Sequence, residues 1–397
     1  MVERWETAII GDYLDFKNGL NKAKEFFGYG TPIVNYMDVY HNRSLVKKDI
    51  NGRVSLSLNE INRFNIKKGD VFFTRTSETP EEVGISSVLL EDIEDGVFSG
   101  FVLRGRPKNN MFLSEYCRYC FSEKSIRESI VRNCTYTTRA LTNGKQLSAI
   151  RISVPPKPEQ KAISSALCDI DSLIDNLEKL VEKKKNIKRG AMQELLTGKR
   201  RLPGFDGEWL MASIGDCISF QVGYPFSSEY FNKQSTGLRL IKNGDLKNDE
   251  NVFYTTEQYK NEYLVNNNDI LIGMDGDFLP CRWKRGTALL NQRVGRLIAK
   301  NADLLFVYYL LFKPLQEIQK GVGATTVKHL SHSSIEKLTV FMPSTIEEQT
   351  AIASILSDMD NEIEELEKKL AKYRNLKQGM MSELLSGHIR LTEKEGA

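Results

Sequence analysis

Apolar positions along the chain follow two kinds of pattern. Near the end they recur in alternating steps of four and three: Ile352, Leu356, Met359, Ile363, Leu366, Leu370, Tyr373, Met380 and Leu384, with Lys377 the one polar member. That is a heptad seam held over about four repeats, and it predicts one long amphipathic helix. The middle of the chain carries a second seam: Ile163, Leu167, Ile170, Ile174, Leu177, Val181, then Lys184 and Lys188, then Ala191 and Leu195. Its centre is interrupted by the run Lys183-Lys184-Lys185. Gly198 and Gly387 stand where each helix is expected to stop. Elsewhere the pattern is of short β-rich runs: Pro32-Ile33-Val34, Asp70-Val71-Phe72-Phe73-Thr74, Ser87-Val88-Leu89-Leu90, Leu238-Arg239-Leu240-Ile241 and Asp269-Ile270-Leu271-Ile272. Turn signals such as Asn51-Gly52, Lys68-Gly69-Asp70 and Asn243-Gly244-Asp245 separate them. Helical stretches are expected at 113–130 and 304–320.

The two seams are copies. Residues 159–202 align without a gap to 348–391, and 23 of the 44 positions are identical. The flanks repeat more weakly: Trp5, Gly11-Asp12, Phe16 and Gly19 match Trp209, Gly215-Asp216, Phe220 and Gly223. Thr137-Thr138 with Pro155 matches Thr325-Thr326 with Pro343. A tandem duplication follows, of variable block, helix, variable block, helix. The predicted parts are residues 1–155, a helical region 156–203, residues 204–343 and a second helical region 344–397. The fold class expected is mixed α/β (α+β): two tandem globular blocks connected by two long helices.

Charge decides how the helices pair. Residues 156–203 carry 11 basic and 7 acidic side chains, and residues 344–397 carry 7 and 11. Opposite net charge favours pairing the two helices with each other over pairing either with its own copy. An antiparallel coiled coil with an approximate two-fold symmetry is the expectation. Its interface would be Ile163, Leu167, Ile170, Ile174, Leu177 and Val181 against Ile352, Leu356, Met359, Ile363, Leu366 and Leu370.

Composition adds mainly exclusions. With 397 residues, 41% hydrophobic and 27% charged, the chain has the make-up of a globular protein of two to three domains. A net charge of +3 excludes a uniformly basic nucleic-acid coat but not local basic patches. The longest apolar run, 304–312, is far short of the roughly 20 residues of a membrane span. Met1-Val2-Glu3-Arg4-Trp5-Glu6 has no apolar signal region. Six scattered cysteines read as reduced thiols, which suggests a cytoplasmic setting.

The blocks present polar and basic loops suited to DNA. In the first these are Arg75, Thr76 and Ser77, with Thr138 and Arg139. In the second they are Lys242 and Asn243, Arg282, Lys284 and Arg285, Gln292 and Arg293, and Thr326 and Lys328. Arg and Lys suit guanine edges and phosphates, and Asn and Gln suit adenine. Catalytic motifs are missing. Val154-Pro155-Pro156-Lys157 fails as an amino-methylase motif at both ends, and Gly198-Lys199-Arg200 lacks the second glycine and the Ser or Thr of a P-loop. Cys117-x2-Cys120 and His329-x2-His332 have no partner pair at zinc spacing. No catalytic residue and no metal site is expected.

The whole arrangement resembles the specificity (S) subunit of type I restriction–modification systems. The resemblance rests on the paired helical regions, each opened by Glu-Gln-x-x-Ile (Glu159, Gln160, Ile163; Glu348, Gln349, Ile352). Each closes with Met-x-Glu-Leu-Leu-Thr/Ser-Gly, at 192–198 and 381–387. The resemblance implies two target-recognition domains, each reading one half of a split, asymmetric double-stranded DNA target. It implies helices that fix the spacing and dock two methyltransferase (modification) subunits. S-adenosylmethionine, ATP and Mg²⁺ would then bind partner subunits, including a restriction/translocase subunit, and no cofactor would bind this chain. The complex would act as an adenine-specific methyltransferase and ATP-dependent endonuclease. A coiled-coil scaffold joining protein partners without DNA readout is the alternative.

Overall fold

The computed structural model describes residues 5–321 and 329–391. It divides into two compact units, one made of residues 1–178 and 368–397 and the other of 179–367. The long helices Lys157–Leu195 and Ile346–Leu385 each pass through both. Gly198 and Gly387, at φ +68° and +75°, adopt the left-handed conformation that ends a helix, which a side chain would strain.

The first unit opens with β1 (Glu6–Ile9) and β2 (Leu14–Asn18), followed by β3 (Phe27–Val34), β4 (Val71–Thr74), β5 (Ser86–Leu89), β6 (Val97–Phe98), β7 (Val102–Pro107) and β8 (Arg151–Val154). Its main sheet runs β2-β7-β4-β5 in antiparallel pairs, with the two-residue strand Ser44–Leu45 at the far edge. Val71, Phe72 and Phe73 are fully buried because both faces of β4 are covered. β3 runs parallel to β6, and β1 pairs with β8 beside the start of the first long helix.

The second unit has β9 (Trp209–Ser213), β10 (Ile218–Val222), β11 (Leu238–Ile241), β12 (Ile270–Gly273), β13 (Pro280–Arg282), β14 (Ala288–Leu290), β15 (Val294–Ala299) and β16 (Thr339–Pro343). The order β10-β15-β12-β13 matches the first sheet. The parallel pair β11·β14 and the antiparallel pair β9·β16 match β3·β6 and β1·β8. The five expected strands are present, with Asp70, Leu90 and Asp269 falling just outside them. The two expected helical stretches are each broken in two: Ser114–Cys120 with Lys124–Asn133, and Leu304–Leu310 with Phe312–Gly321. In the first pair the break occurs where the Glu123 carboxylate caps the following helix, accepting from the Ser125 and Ile126 amides.

Within each unit the long helices pair antiparallel. In the first unit Glu159, Asp171 and Glu178 meet Arg390, Lys377 and Arg374, one number rising as the other falls. In the second unit Lys184 and Lys188 meet Glu362 and Asp360 in the same sense. Ile163, Leu167, Ile170, Ile174, Leu177 and Val181 are buried, as are Ile352, Leu356, Ile363 and Leu370. Met359 and Leu366 are half-buried.

The lysines that interrupt the seams prove to be structural. In the first unit Asp171 accepts a hydrogen bond from Tyr119 (2.8 Å) and pairs with Lys377 and, at 3.5 Å, with Arg118. In the second unit Asp360 accepts from Tyr309 (2.7 Å) and pairs with Lys188. Burial and the bonded carboxylate push both tyrosine hydroxyls well above the usual range. Each triad ties a globular block to both helices.

A second bracket repeats as faithfully. Buried Glu159 accepts two bonds from the Arg390 guanidinium, both at 2.7 Å, and one from the Trp5 indole at 2.8 Å. Buried Glu348 is held likewise by Arg201, at 2.7 and 2.8 Å, and by Trp209 at 3.3 Å. Burial alone would raise the Glu159 pKa, but Arg390 and Trp5 outweigh it and hold the carboxyl below its ordinary value. The adjacent glutamines close the joint: Gln160 accepts from the Leu113 amide and donates to Pro155 O, and Gln349 accepts from the Asp303 amide and donates to Pro343 O. The Glu-Gln of each opening motif is therefore a joint between block and helices.

Candidate nucleic-acid interface

One corner of each sheet is built the same way in both units. In the first unit the Arg75 amide donates to Phe101 O, and the Arg75 carbonyl accepts from the Thr142 amide. In the second unit the Met274 amide donates to Arg293 O, and the Met274 carbonyl accepts from the Leu330 amide. The segment after β3 and the one after β11 enter with the same turn. Asp38 accepts from the Asn35 amide, and Asp245 accepts from the Lys242 amide, each at 2.8 Å. Thr76–Ser77 pairs with Ala140–Leu141, and Asp275 bridges to His329. Four chain segments thus converge on one corner, and the two corners correspond position by position.

Several of the sequence-derived residues meet at these corners. Arg75 is half-buried and donates to Gly100 O at 3.2 Å. Thr76 and Ser77 lie beside it, with the Ser77 hydroxyl bonded to Glu82. Thr138 is exposed, and Arg139 is exposed in a surface pair with Glu78 at 3.2 Å. In the second unit Asn243 donates to Asp275 O, Arg293 lies 3.5 Å from the Asp275 carboxylate, and His329 lies 2.8 Å from it. Gln292 is exposed next to Arg293. Lys242 reaches Asn251 O at 2.9 Å and sits 3.7 Å from the centre of the Phe253 ring, where burial lowers its pKa.

The remaining three described positions spend their charge on internal partners, although Arg282 and Lys284 line one cleft with Asn243 and Asp275. Arg282 donates to Asn268 and to Ser357 of the second long helix, and Lys284 pairs with Glu364 of the same helix. Arg285 donates to Asp245 O and lies 5.3 Å from the Trp283 ring centre. Thr326 and Lys328 lie outside the described residues. Sequence reasoning missed the apolar half of the first corner. Tyr36 and Tyr40 stack at 5.7 Å, and with Met37, Phe101 and Arg139 they line a cleft of about 350 Å³. Met37 and Phe101 are 53% and 63% exposed.

Among the described residues no group of three or more His, Cys, Asp or Glu is placed to hold a metal ion. Cys117 and Cys120 are buried in the core, where desolvation raises the Cys120 thiol. Among the described residues no helix is long and apolar enough to cross a membrane.

Comparison with known proteins identifies the family. The family model "Type I restriction modification DNA specificity domain" matches twice, over residues 2–189 and 207–372. The type I restriction enzyme MjaVIII specificity subunit of Methanocaldococcus jannaschii is 25% identical over 98% of this chain and 94% of its own. The EcoBI specificity subunit of Escherichia coli is 28% identical over 47% of this chain and 40% of its own. The crystal structure of the type I restriction–modification S subunit from M. genitalium superposes with a TM-score of 0.63 at 17% identity, covering 96% of both chains. The chain belongs to the family of type I restriction–modification DNA specificity subunits.

Proposed function

We propose that this chain is the sequence-reading component of a type I restriction–modification complex. Each unit reads one half of a split, asymmetric DNA target through its corner, and the long helices set the distance between the halves. The observation that carries this is the contrast inside the duplication: the helix brackets repeat residue for residue, while equivalent corners present different chemistry. A 39-residue helix is about 58 Å long at 1.5 Å per residue. That exceeds the roughly 34 Å of one DNA turn between half-site centres. The faces of the paired helices not used in the seam are the docking surface for two methyltransferase subunits. S-adenosylmethionine binds those subunits, and ATP and Mg²⁺ serve a restriction/translocase subunit. This chain supplies recognition and no bond-making step.

Mapping methylated adenines in a genome where this is the sole specificity subunit tests the reading. A bipartite motif is expected, and exchanging residues 1–155 for another such block should change one half of it only. A change in both halves or in neither overturns the two-reader scheme. Absence of salt-sensitive, sequence-dependent DNA binding by the methyltransferase complex would favour the scaffold reading.

A further inference from the structure

We infer that the first unit reads thymine by its C5-methyl group, using the apolar cleft formed by Met37 and Phe101 with the stacked Tyr36 and Tyr40. The inference rests on the DNA-reading function proposed above and names what one corner recognises. Tyr36 occupies the position of Asn243, directly after the matching turns. Phe101 occupies the position of Arg293, by the matching carbonyl bonds to Arg75 and Met274. One corner therefore offers an amide and a guanidinium where the other offers two aromatic rings.

Exposed apolar side chains at a DNA-reading corner have one specific major-groove target, the thymine methyl, since every other distinguishing group on the base edges there is a hydrogen-bond donor or acceptor. Thr76, Ser77, Glu78 and Glu82 also line the cleft, and most of its polar groups already have partners. The Tyr40 hydroxyl is committed to Glu82 at 2.9 Å, and Ser77 donates to the same carboxylate. Those bonds, Ser77's first, hold Glu82 below its ordinary pKa. Among the described residues the Arg139 side chain at the rim is paired with Glu78 at the surface, a pair a phosphate can displace at little cost. Arg139 then supplies phosphate contact and Phe101 with Met37 supplies discrimination.

The test uses the full chain with its methyltransferase subunits and DNA duplexes carrying the mapped target. Deoxyuridine replaces thymine one position at a time, which removes only the methyl group. In the half-site assigned to residues 1–155, at least one replacement should weaken binding about three- to fivefold, the effect of one buried methyl. Phe101→Ala should bind the thymine and uracil duplexes equally, and at 63% exposure its loss does not threaten the fold. Deoxyuridine in the other half-site should not respond to this variant. A first half-site without thymine, or full affinity on every uracil duplex, overturns the inference and leaves the proposed function standing. Loss of methyltransferase assembly in Phe101→Ala, with no change in methyl discrimination, also overturns it, because the cleft would then be a protein contact. Failure of the wild-type complex to prefer any sequence defeats the DNA-reading function itself.

Discussion

Glu159 and Glu348 sit in brackets of the same residues, each held by an arginine fork and an indole. Phe101 and Arg293 hold the same place in two matching sheets and have no chemistry in common. The difference separates two kinds of constraint on one duplicated chain. A buried carboxylate that loses its arginine is left with a desolvated charge, so any change there destabilises the protein. A corner residue facing solvent carries no such penalty and is free to vary with whatever it must recognise. The repeat is therefore faithful where the joint demands it and has diverged at the corners.

The comparison breaks most severely if the shared part is attacked. Leu177 is 6% exposed between the helices, and Leu177→Asp places an unpaired carboxylate there at a cost of several kcal/mol. Thermal unfolding should show a large drop in midpoint, and methylation should be lost at both half-sites together. Loss at one half-site alone would mean that the helices do not serve both readers.

The two lysine triads sharpen the same point. Asp171 is buried, whereas the side chain of Asp360 is 31% exposed. Lys377→Ala should destabilise by about 3 kcal/mol, the low end for breaking a buried pair, because Tyr119 and Arg118 still reach Asp171. Lys188→Ala should cost about 1 kcal/mol or less, since water reaches the carboxylate it leaves. Denaturant titration of the two variants measures the difference, and equal losses would show that the extra burial of Asp171 has no energetic weight.

These triads show what the amino-acid pattern could and could not reveal. The seam positions were legible because their spacing is local and occurs twice. Lys377 and Lys188 looked like defects in the seam, because their partners Asp171 and Asp360 lie on the other helix, close to two hundred residues away in one case. Five of the strands were legible from short β-branched and aromatic runs, but the others and their order in the sheet were not. That order decides the corner: Tyr36 and Phe101 are far apart in the chain, and neither has the polarity by which a DNA contact is sought. Conversely Arg282, Lys284 and Arg285 have that polarity and spend it on Ser357, Glu364 and Asp245. Charge in a sequence marks the need for a partner without saying whether the partner is internal.

The corners themselves should respond separately. Arg75→Ala is expected to weaken recognition of one half-site by about 1–3 kcal/mol, and Arg293→Ala to do the same at the other. Competition binding with duplexes mutated in one half at a time distinguishes the two. If Arg75→Ala leaves binding and methylation unchanged, the 74–78 loop is not part of the reader.

Lys284→Ala should have the smallest effect, and it tests the boundary between the two kinds of region. Lys284 is basic, half-exposed and in the second block, so by composition it belongs with Arg293. By geometry it belongs with the helix, because its ammonium rests on Glu364. Side chains 43% and 38% exposed form a screened pair worth about 0–1 kcal/mol. The expected outcome is a small fall in thermal midpoint that shrinks as salt is raised. DNA affinity should stay unchanged, and so should the slope of affinity against salt concentration. A slope reduced by about one would mean that this ammonium neutralises a phosphate. The DNA-facing surface of the second unit would then extend past the corner to the β13 end, and fidelity of repetition would no longer tell a structural charge from a reading one.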